Sequence, residues 1–230
     1  MAEKNFNIAE KFLLIAHHPE KGRFMISQLY IQYGIAGAIV LDMMLEDRID
    51  IADKKLILKT ARGSADPIIS EVIALMSQSS RSRRVEYWVR KLATRYNKYK
   101  WLVLKGLADK RIVRIEEKKF LGLIPYRKSS LIESYTRSNI IRQLKSEVLA
   151  YTREPSSASM SIAGLIEACR MHRILSDDRE ERKTIRTQLK KMIKESPVSD
   201  AVSQTIKQVQ AAIIASVTAA IVASTAGRRH

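Results

Sequence analysis

Four acids lie close together in the stretch DMMLEDRID, residues 42–50, and they are the side chains best placed for acid–base chemistry. Asp42 and Glu46 are spaced i, i+4, so a helix would place them on one face, with Asp47 and Asp50 following. Two carboxylates on one face could perform general acid–base catalysis. The same spacing also fits a polar stripe and the charged end of a core helix, and the sequence leaves both interpretations open.

Other chemical signals in the chain are weak. The histidines are His17, His18, His172 and His230, and none has HExxH or zinc-site spacing. Cys169 is the single cysteine, so no internal disulfide can form, and its apolar surroundings predict a buried, unreactive thiol. No glycine-rich phosphate-binding loop is present in the sequence. These observations favour a protein that is not an enzyme and that uses neither a cofactor nor a metal.

Positive charge is the strongest signal in the composition. The net charge is +17 and the isoelectric point is near 10.1, which implies an anionic partner such as nucleic acid, an anionic membrane or an acidic protein. Residues 81–128 contain 16 Lys/Arg against four acids, and so they carry +12 of this total. Such a concentration is self-repulsive and predicts one basic surface that binds an anion.

Aromatic residues are interleaved with this charge. They can stack on the bases of a single nucleic-acid strand, lie at a lipid headgroup layer, or belong to a core whose outer face is basic. Nucleic-acid binding through residues 81–128 is therefore the alternative to membrane binding, although neither a helix-turn-helix nor an RNA-recognition signature is present. The aromatic residues are Tyr87, Trp88, Tyr96, Tyr99 and Trp101.

Helices are expected to position most of these residues. Apolar spacing indicates helices through Trp88 and Trp101, and a charged helix capped by Asp177 with a stripe of Ile185, Leu189, Met192 and Ile193. Further helices are predicted over residues 9–18, 25–46, 67–78, 131–151, 159–175 and 198–225.

Short strands complete the prediction. The segments IDIA and KKLILKTA flank a tight turn at Asp53–Lys54, and residues 79–84 are predicted to be a loop. Alternating residues over 111–126 predict a hairpin whose turn lies at Glu116–Glu117–Lys118. We therefore expect a mainly α, single globular multi-helix domain with one or two small β-hairpins.

Two apolar runs are long enough to raise the question of a membrane span. The first is interrupted by Asp42, and Gly34 and Gly37 predict close packing of a core helix. The second, residues 208–227, lacks charge, but its Gln, Ser and Thr offset the roughly −3 kcal/mol contributed by six Ile/Val. A buried or half-buried terminal helix is expected there, with a membrane-surface helix and a tail anchor as alternatives. The amino-terminal segment lacks signal-peptide character, so a cytoplasmic protein is expected.

The order of features resembles the Golgi phosphoprotein 3 family over about residues 10–225. The resemblance is carried by GIAGAIVLDMMLEDRIDI with Gly34 and Gly37, two short strands, the Asp66–Pro67 helix start, a Trp-containing helix and a hairpin. Asp47 stands where the family usually has glycine. The resemblance implies one domain spanning residues 1–230.

What the resemblance implies is a peripheral membrane protein on the cytosolic face, acting as a lipid-binding adaptor. Eukaryotic relatives bind phosphatidylinositol 4-phosphate, hold glycosyltransferases through short basic cytosolic tails, and use the hairpin for self-association and membrane contact. Expected partners are therefore anionic membrane lipids, cytosolic tails of membrane proteins and a second copy of the chain. Nucleic acid is the less favoured partner.

The headgroup pocket of those relatives uses a Trp and an Arg on the long helix and two Arg on a later helix. The matching positions here are Ser27, Ala36, Asn97 and Lys100, so the chain resembles a bacterial-type member that lacks most of the phosphoinositide pocket.

Two neighbouring cations could compensate for the missing pocket residues. The predicted headgroup-binding residues are Arg95, Lys98 and Lys100. The predicted membrane or oligomer contacts on the hairpin are Phe120, Leu121, Leu123 and Ile124.

Overall fold

The computed structural model describes residues 5–120, 123–150, 155–195 and 199–226. In that part of the chain, helices dominate and two small antiparallel sheets lie at the surface, so the predicted mainly α domain is confirmed. The helices are α1 (Ile8–Ala16), α2 (Gln28–Leu45), α3 (Pro67–Ser77), α4 (Val85–Ala93), α5 (Tyr96–Asp109), α6 (Tyr135–Leu149), α7 (Ser157–Ala168), α8 (His172–Leu175), α9 (Arg179–Lys194) and α10 (Asp200–Ala226). The strands are β1 (Ile49–Ala52), β2 (Lys55–Leu58), β3 (Arg83–Arg84), β4 (Val113–Phe120) and β5 (Ile124–Leu131).

Helix α2 is the centre of the fold, with α1, α4, α5, α7 and α10 packed around it. Its two glycines allow this close approach. A Cβ at Gly34 would lie 2.7 Å from Phe12 Cε1 of α1, and one at Gly37 would lie 2.6 Å from Ile213 Cδ1 of α10. The predicted core helix with close packing at Gly34 and Gly37 is therefore confirmed.

Helix starts follow the capping rules with one correction. Asp66 caps α3 with Pro67 at the first position, as predicted. Helix α9 is capped by Asp178 and not by Asp177, because the Asp178 side chain accepts from Glu181 N at 2.7 Å. The Asp177 carbonyl instead accepts from Arg182 Nη1 at 2.6 Å, which fixes Asp177 in the preceding turn.

The first sheet has the order β1-β2-β3. Asp53 and Lys54 have φ of 50° and 61°, which is the conformation of a two-residue type I′ hairpin turn and confirms the predicted position. Residues 79–84 were predicted to be a loop, but Arg83–Arg84 pair with Lys55 and Leu56. A two-residue edge strand is too short to produce a sequence pattern.

The predicted turn of the second hairpin is wrong. Strands β4 and β5 pair from Val113↔Leu131 to Phe120↔Ile124, so Glu116–Glu117–Lys118 lies inside β4. The reason is cross-strand pairing, since Glu117 lies opposite Arg127 with Oε1 3.0 Å from Arg127 Nε. Opposite charges facing each other stabilise an exposed two-stranded ribbon, and a charged run can therefore be strand.

Two helix predictions are corrected in detail, and one is confirmed. Residues 159–175 form two helices, α7 and α8, because Arg170 between them has a φ of 55°. The long helix starts at Gln28 rather than at Met25. The α9 stripe of Ile185, Leu189, Met192 and Ile193 is buried as predicted. Pro197, the predicted breaker, lies outside the described residues.

The end of the molecule at which α2 starts is called the α2-start end, and contacts between elements show which of them reach it. The His17↔Phe24 bridge brings the end of α1 to the start of α2. Lys110, just after α5, binds Glu10 near the start of α1 with Nζ and Oε2 2.5 Å apart, so α5 starts at the α2-start end. Strands β1 and β2 follow α2 and lie at the opposite end.

Helix α10 and the β4–β5 ribbon both run toward the α2-start end. Ile213 of α10 packs on Gly37 in the middle of α2, whereas Ile221 lines a groove with Tyr30 in the first turn of α2. The ribbon begins at Ile112, whose N–H donates to Leu107 O near the end of α5. Tyr126 lies beside Trp101 in the first half of α5, so the ribbon runs back along α5.

Candidate anionic headgroup site

A hollow of about 450 Å³ lies at the α2-start end between the turn before α2, the first half of α5 and strand β5. Four cations and three aromatic rings line it, and none of the described residues that line it carries a carboxylate. The cations are Arg23, Lys100, Arg127 and Lys128, and the rings are Phe24, Trp101 and Tyr126.

Lys100 is the central cation of this hollow. It is half-buried, with Nζ 4.8 Å from the centroid of the Trp101 ring and 5.7 Å from that of Tyr96. Burial lowers the pKa of Lys100. Within the described residues it forms no ion pair with a carboxylate. A cation removed from water without a counter-ion is costly, so this position favours an anion from outside the chain.

The hairpin is fixed to the body of the protein at the edge of the hollow. Gly22 has a φ of 58°, and a Cβ there would overlap Lys128 Cε and lie 2.8 Å from Ser129 O. Only glycine fits this left-handed position at such close approach. The buried His17 ring reaches Ser129 Oγ with Nε2 at 3.1 Å, and burial lowers the pKa of His17. These contacts hold β5 against the end of α1 and the turn before α2.

Two of the three predicted headgroup residues lie elsewhere. Arg95 and Lys98 both bind Glu71 of α3, with nitrogen–oxygen distances of 3.0 and 2.5 Å. Burial alone would raise the pKa of Glu71, but these two cations and the Tyr99 hydroxyl hold it below its ordinary value. Lys100 alone of the predicted set lines the hollow.

The family pocket positions do not converge on the hollow either. Ser27 is the exposed residue before α2, Ala36 is buried in the core, and Asn97 is exposed on α5. None of the three lines the hollow. Sequence reasoning missed Arg23, Arg127 and Lys128; the last two lay within the basic window 81–128, but the misplaced turn hid their position.

The predicted hairpin contacts are partly described. Leu123, at the turn, is 82% exposed. Phe120 and Ile124 are backbone register partners at the end of the ribbon. Leu121 lies outside the described residues.

The aromatic residues of the basic window divide between core and surface. Trp88 and Tyr99 are buried in the core, so they cannot stack on an external base. Tyr87 is exposed, and Arg83 and Lys91 lie over its ring at 5.1 and 5.9 Å. The five aromatics therefore do not form one continuous stacking surface.

The Asp42 carboxylate accepts hydrogen bonds from the backbone. The donors are Ile8 N at 2.6 Å and Ala9 N at 3.0 Å, at the start of α1. Burial outweighs these two bonds and raises the pKa of Asp42 to about 7. Glu46 is exposed and accepts from Ser64 Oγ at 3.0 Å. Asp42 thus caps the start of α1, and Glu46 lies at the end of α2, which are helix-end roles of the kind that the second interpretation of the sequence gave these acids.

Other reactive groups in the described part of the chain form no site. Cys169 is fully buried, as predicted, and burial raises the pKa of its thiol. Among the described residues, no group of three or more His, Cys, Asp or Glu could hold a metal ion. Two helices have the length and apolar character of a span, Gln28–Leu45, whose window is 61% buried, and Val202–Thr225, whose window is 33% buried.

The fold and the hollow together define a mainly α domain with a basic hollow beside the β4–β5 ribbon. The family model of Golgi phosphoprotein 3 (GPP34) matches residues 8–209. The chain therefore belongs to the Golgi phosphoprotein 3 family, as its sequence resemblance predicted. No curated protein matches the chain.

Proposed function

We propose that this protein is a peripheral membrane protein that binds an anionic, phosphate-bearing lipid headgroup in the hollow at Lys100. The observation that carries the proposal is Lys100 itself, half-buried beside Trp101 without a carboxylate partner in the described chain. Family membership supports a role on the cytosolic side of a membrane, since the family is associated with that face of Golgi membranes. The family is not known as an enzyme family.

The hollow and the hairpin act together in this proposal. A cation near an anionic leaflet contributes about 1 kcal/mol. Arg127 is already paired with Glu117, so the other three cations contribute about 3 kcal/mol. Insertion of the exposed Leu123 adds about 2 kcal/mol. The total of about 5 kcal/mol corresponds to a Kd of about 0.2 mM, which suits reversible membrane docking.

Charge, rather than one headgroup shape, selects the lipid in this proposal. The cations come from three separate segments, and the aromatic and arginine positions of the phosphoinositide pocket are Ser27 and Ala36. We therefore expect the hollow to bind both phosphatidylserine and phosphatidylinositol 4-phosphate. The affinity should rise with the charge of the headgroup.

Once docked on the membrane, the protein would act as an adaptor that holds other proteins there. Cytosolic tails of membrane proteins and a second copy of the chain are the proposed protein partners. A second copy would add avidity to a Kd of about 0.2 mM, because two linked headgroup sites bind one surface together.

Co-sedimentation with vesicles tests the proposal. Vesicles of phosphatidylcholine alone are compared with vesicles that also contain phosphatidylserine or phosphatidylinositol 4-phosphate. The variant K100Q/K128Q should bind anionic vesicles about 25-fold more weakly than the natural protein. The matched control K55Q/R62Q removes two exposed cations at the opposite end of the molecule and should bind normally.

Two results would contradict the proposal. One is equal binding to neutral and anionic vesicles, and the other is equal weakening by both double variants. Affinity for a single-stranded oligonucleotide with a steep salt dependence, in the absence of vesicle binding, would favour the nucleic-acid alternative instead.

A further inference from the structure

A second basic surface lies at the α2-start end, away from the hairpin. It is a groove of about 710 Å³ between the end of α7, α8, α9 and the second half of α10. Arg170, Arg173 and Lys183 line it with exposed side chains and have no carboxylate partner among the described residues. The groove therefore carries cations that nothing in the described chain neutralises.

Among the described residues, one carboxylate lines the groove, and it is already paired with cations. Glu167 lies 2.6 Å from His172 Nε2 and 4.0 Å from both Arg186 Nε and Lys190 Nζ. Burial alone would raise the pKa of Glu167, but these cations and the His172 hydrogen bond hold it below its ordinary value. Glu167 is thus ionised and internally paired, and the groove keeps a positive character.

The opposite wall of the groove is an apolar stripe on α10. Ile214, Ile221 and Val222 are 51%, 48% and 60% exposed, and their i, i+7, i+8 spacing places them on one helix face. Ile214 and Ile221 line the groove itself. Large exposed aliphatic side chains next to unpaired cations match the two layers of an anionic lipid surface, acyl chains and phosphates.

This surface and the headgroup hollow both lie near the start of α2. Helix α10 runs toward the α2-start end, where Tyr30 of α2 lines the same groove. The turn at Gly22, which lines the hollow, immediately precedes α2. One membrane can therefore contact both.

We propose that the groove and the exposed stripe of α10 form a second contact with the anionic bilayer, in which Arg170, Arg173 and Lys183 bind lipid phosphates. This inference rests on the proposed function, because it assigns a second contact to the same membrane. The first half of α10 packs on Gly37 of α2, so the exposed second half meets the bilayer while the helix stays attached to the domain.

Charge complementarity selects a bilayer over a second copy of the chain. A symmetric dimer through this face would bring the same cations of both copies together. Like charges at close range oppose that association, whereas lipid phosphates complement them.

An environment-sensitive fluorophore placed on single cysteines tests the inference. The positions are I221C on α10, L123C at the hairpin turn and, as a control at the opposite end, I57C, which is also an exposed aliphatic position. The natural Cys169 is fully buried, so it does not compete for the label. Emission is measured with vesicles of phosphatidylcholine and with vesicles of phosphatidylcholine plus phosphatidylserine.

The inference expects blue shifts at positions 221 and 123 on anionic vesicles and none at position 57. A shift at 123 alone overturns the second contact and leaves the proposed function standing. A shift at 221 alone contradicts the proposed function at the hairpin and supports the α10 contact. Shifts at neither position overturn both.

Removal of the groove cations gives a second, independent measurement. The variant R173Q/K183Q should bind anionic vesicles about 25-fold more weakly, and K55Q/R62Q should not. Unchanged binding by R173Q/K183Q overturns the inference. A second result would also overturn the inference. Sedimentation would show a dimer that I221S dissociates, and the label at position 221 would give no shift on vesicles.

Discussion

Two partly or fully buried charges in this fold have opposite roles. Asp42 is buried against the first turn of α1, where two backbone N–H groups satisfy its carboxylate. Lys100 is half-buried beside Trp101 and has no carboxylate partner in the described residues. A buried charge that the fold satisfies serves structure, whereas one that the fold leaves unsatisfied is a candidate for binding.

Lys100 should show a trade-off between stability and binding. The variant K100M removes an unpaired, half-buried cation, so we expect its free energy of unfolding to be unchanged or to rise by about 0.5–1 kcal/mol. Binding to anionic vesicles should weaken. Lys98→Met is the control, because Lys98 is paired with Glu71 and its loss should slightly lower stability. Urea unfolding and vesicle co-sedimentation measure the two effects, and a marked destabilisation by K100M would contradict this account of Lys100.

Asp42 should give the stability a specific pH dependence. Because the pKa of Asp42 is raised to about 7, the native state binds more protons than the unfolded state between about pH 4 and 7. The contribution of Asp42 to the free energy of unfolding therefore falls as pH rises through that window, by up to about 1.4 kcal/mol per pH unit. Comparison with Asp42→Asn isolates it, since the variant loses this slope. Parallel pH profiles of the two proteins would contradict the assignment.

Helix α10 has one part that packs in the core and another part that lies at the surface. The first half of α10 packs on Gly37 of α2, whereas its second half exposes Ile221. The sequence indicated a buried or half-buried terminal helix, and half-buried is the outcome. Its uniform Ala, Ser and Thr content gave no sign of where burial ends, because that position depends on the length of the neighbouring helices.

Two alanine substitutions should reveal this division of α10. Ile213→Ala removes a fully buried side chain and should lower the free energy of unfolding by about 2–5 kcal/mol. Ile221→Ala removes an exposed one and should change it by less than about 0.5 kcal/mol. Chemical denaturation measures both. Equal costs would mean that the second half of α10 packs against the domain.

The hairpin shows why local patterns mislead at the level of elements. Glu116–Glu117–Lys118 has the composition of a turn, but its acids face Lys128 and Arg127 across the ribbon. Pairing partners decide whether a charged run is turn or strand, and one strand alone does not identify them.

At the scale of the whole molecule, the sequence predicted the fold class, the helical core and the basic character. It did not predict how the basic residues are grouped. Arg95 and Lys98 are neighbours of Lys100 in sequence, yet Glu71 of α3 binds both. The hollow is assembled from segments about residues 23, 100 and 127, which only the packed structure brings together.

Salt should weaken membrane binding by the whole molecule. The net charge of +17 and the basic hollow make attraction to an anionic surface largely electrostatic. The screening length of electrostatic interactions falls to about 3 Å at 1 M ionic strength. We therefore expect sedimentation with phosphatidylserine vesicles to fall steadily as salt is added, with a residual fraction from apolar contacts. Binding that is independent of salt would contradict a charge-driven attachment.

The central claim is that the hollow at Lys100 receives an anionic headgroup, and Trp101 reports on it directly. The chain has two tryptophans, and Trp88 is buried, so Trp88→Phe leaves Trp101 in the hollow as the only tryptophan. Fluorescence of this variant is titrated with phosphatidylcholine vesicles and with vesicles that also contain phosphatidylinositol 4-phosphate. The account predicts a saturable change in Trp101 emission with the anionic vesicles only. No change, or the same change with both kinds of vesicle, would contradict it.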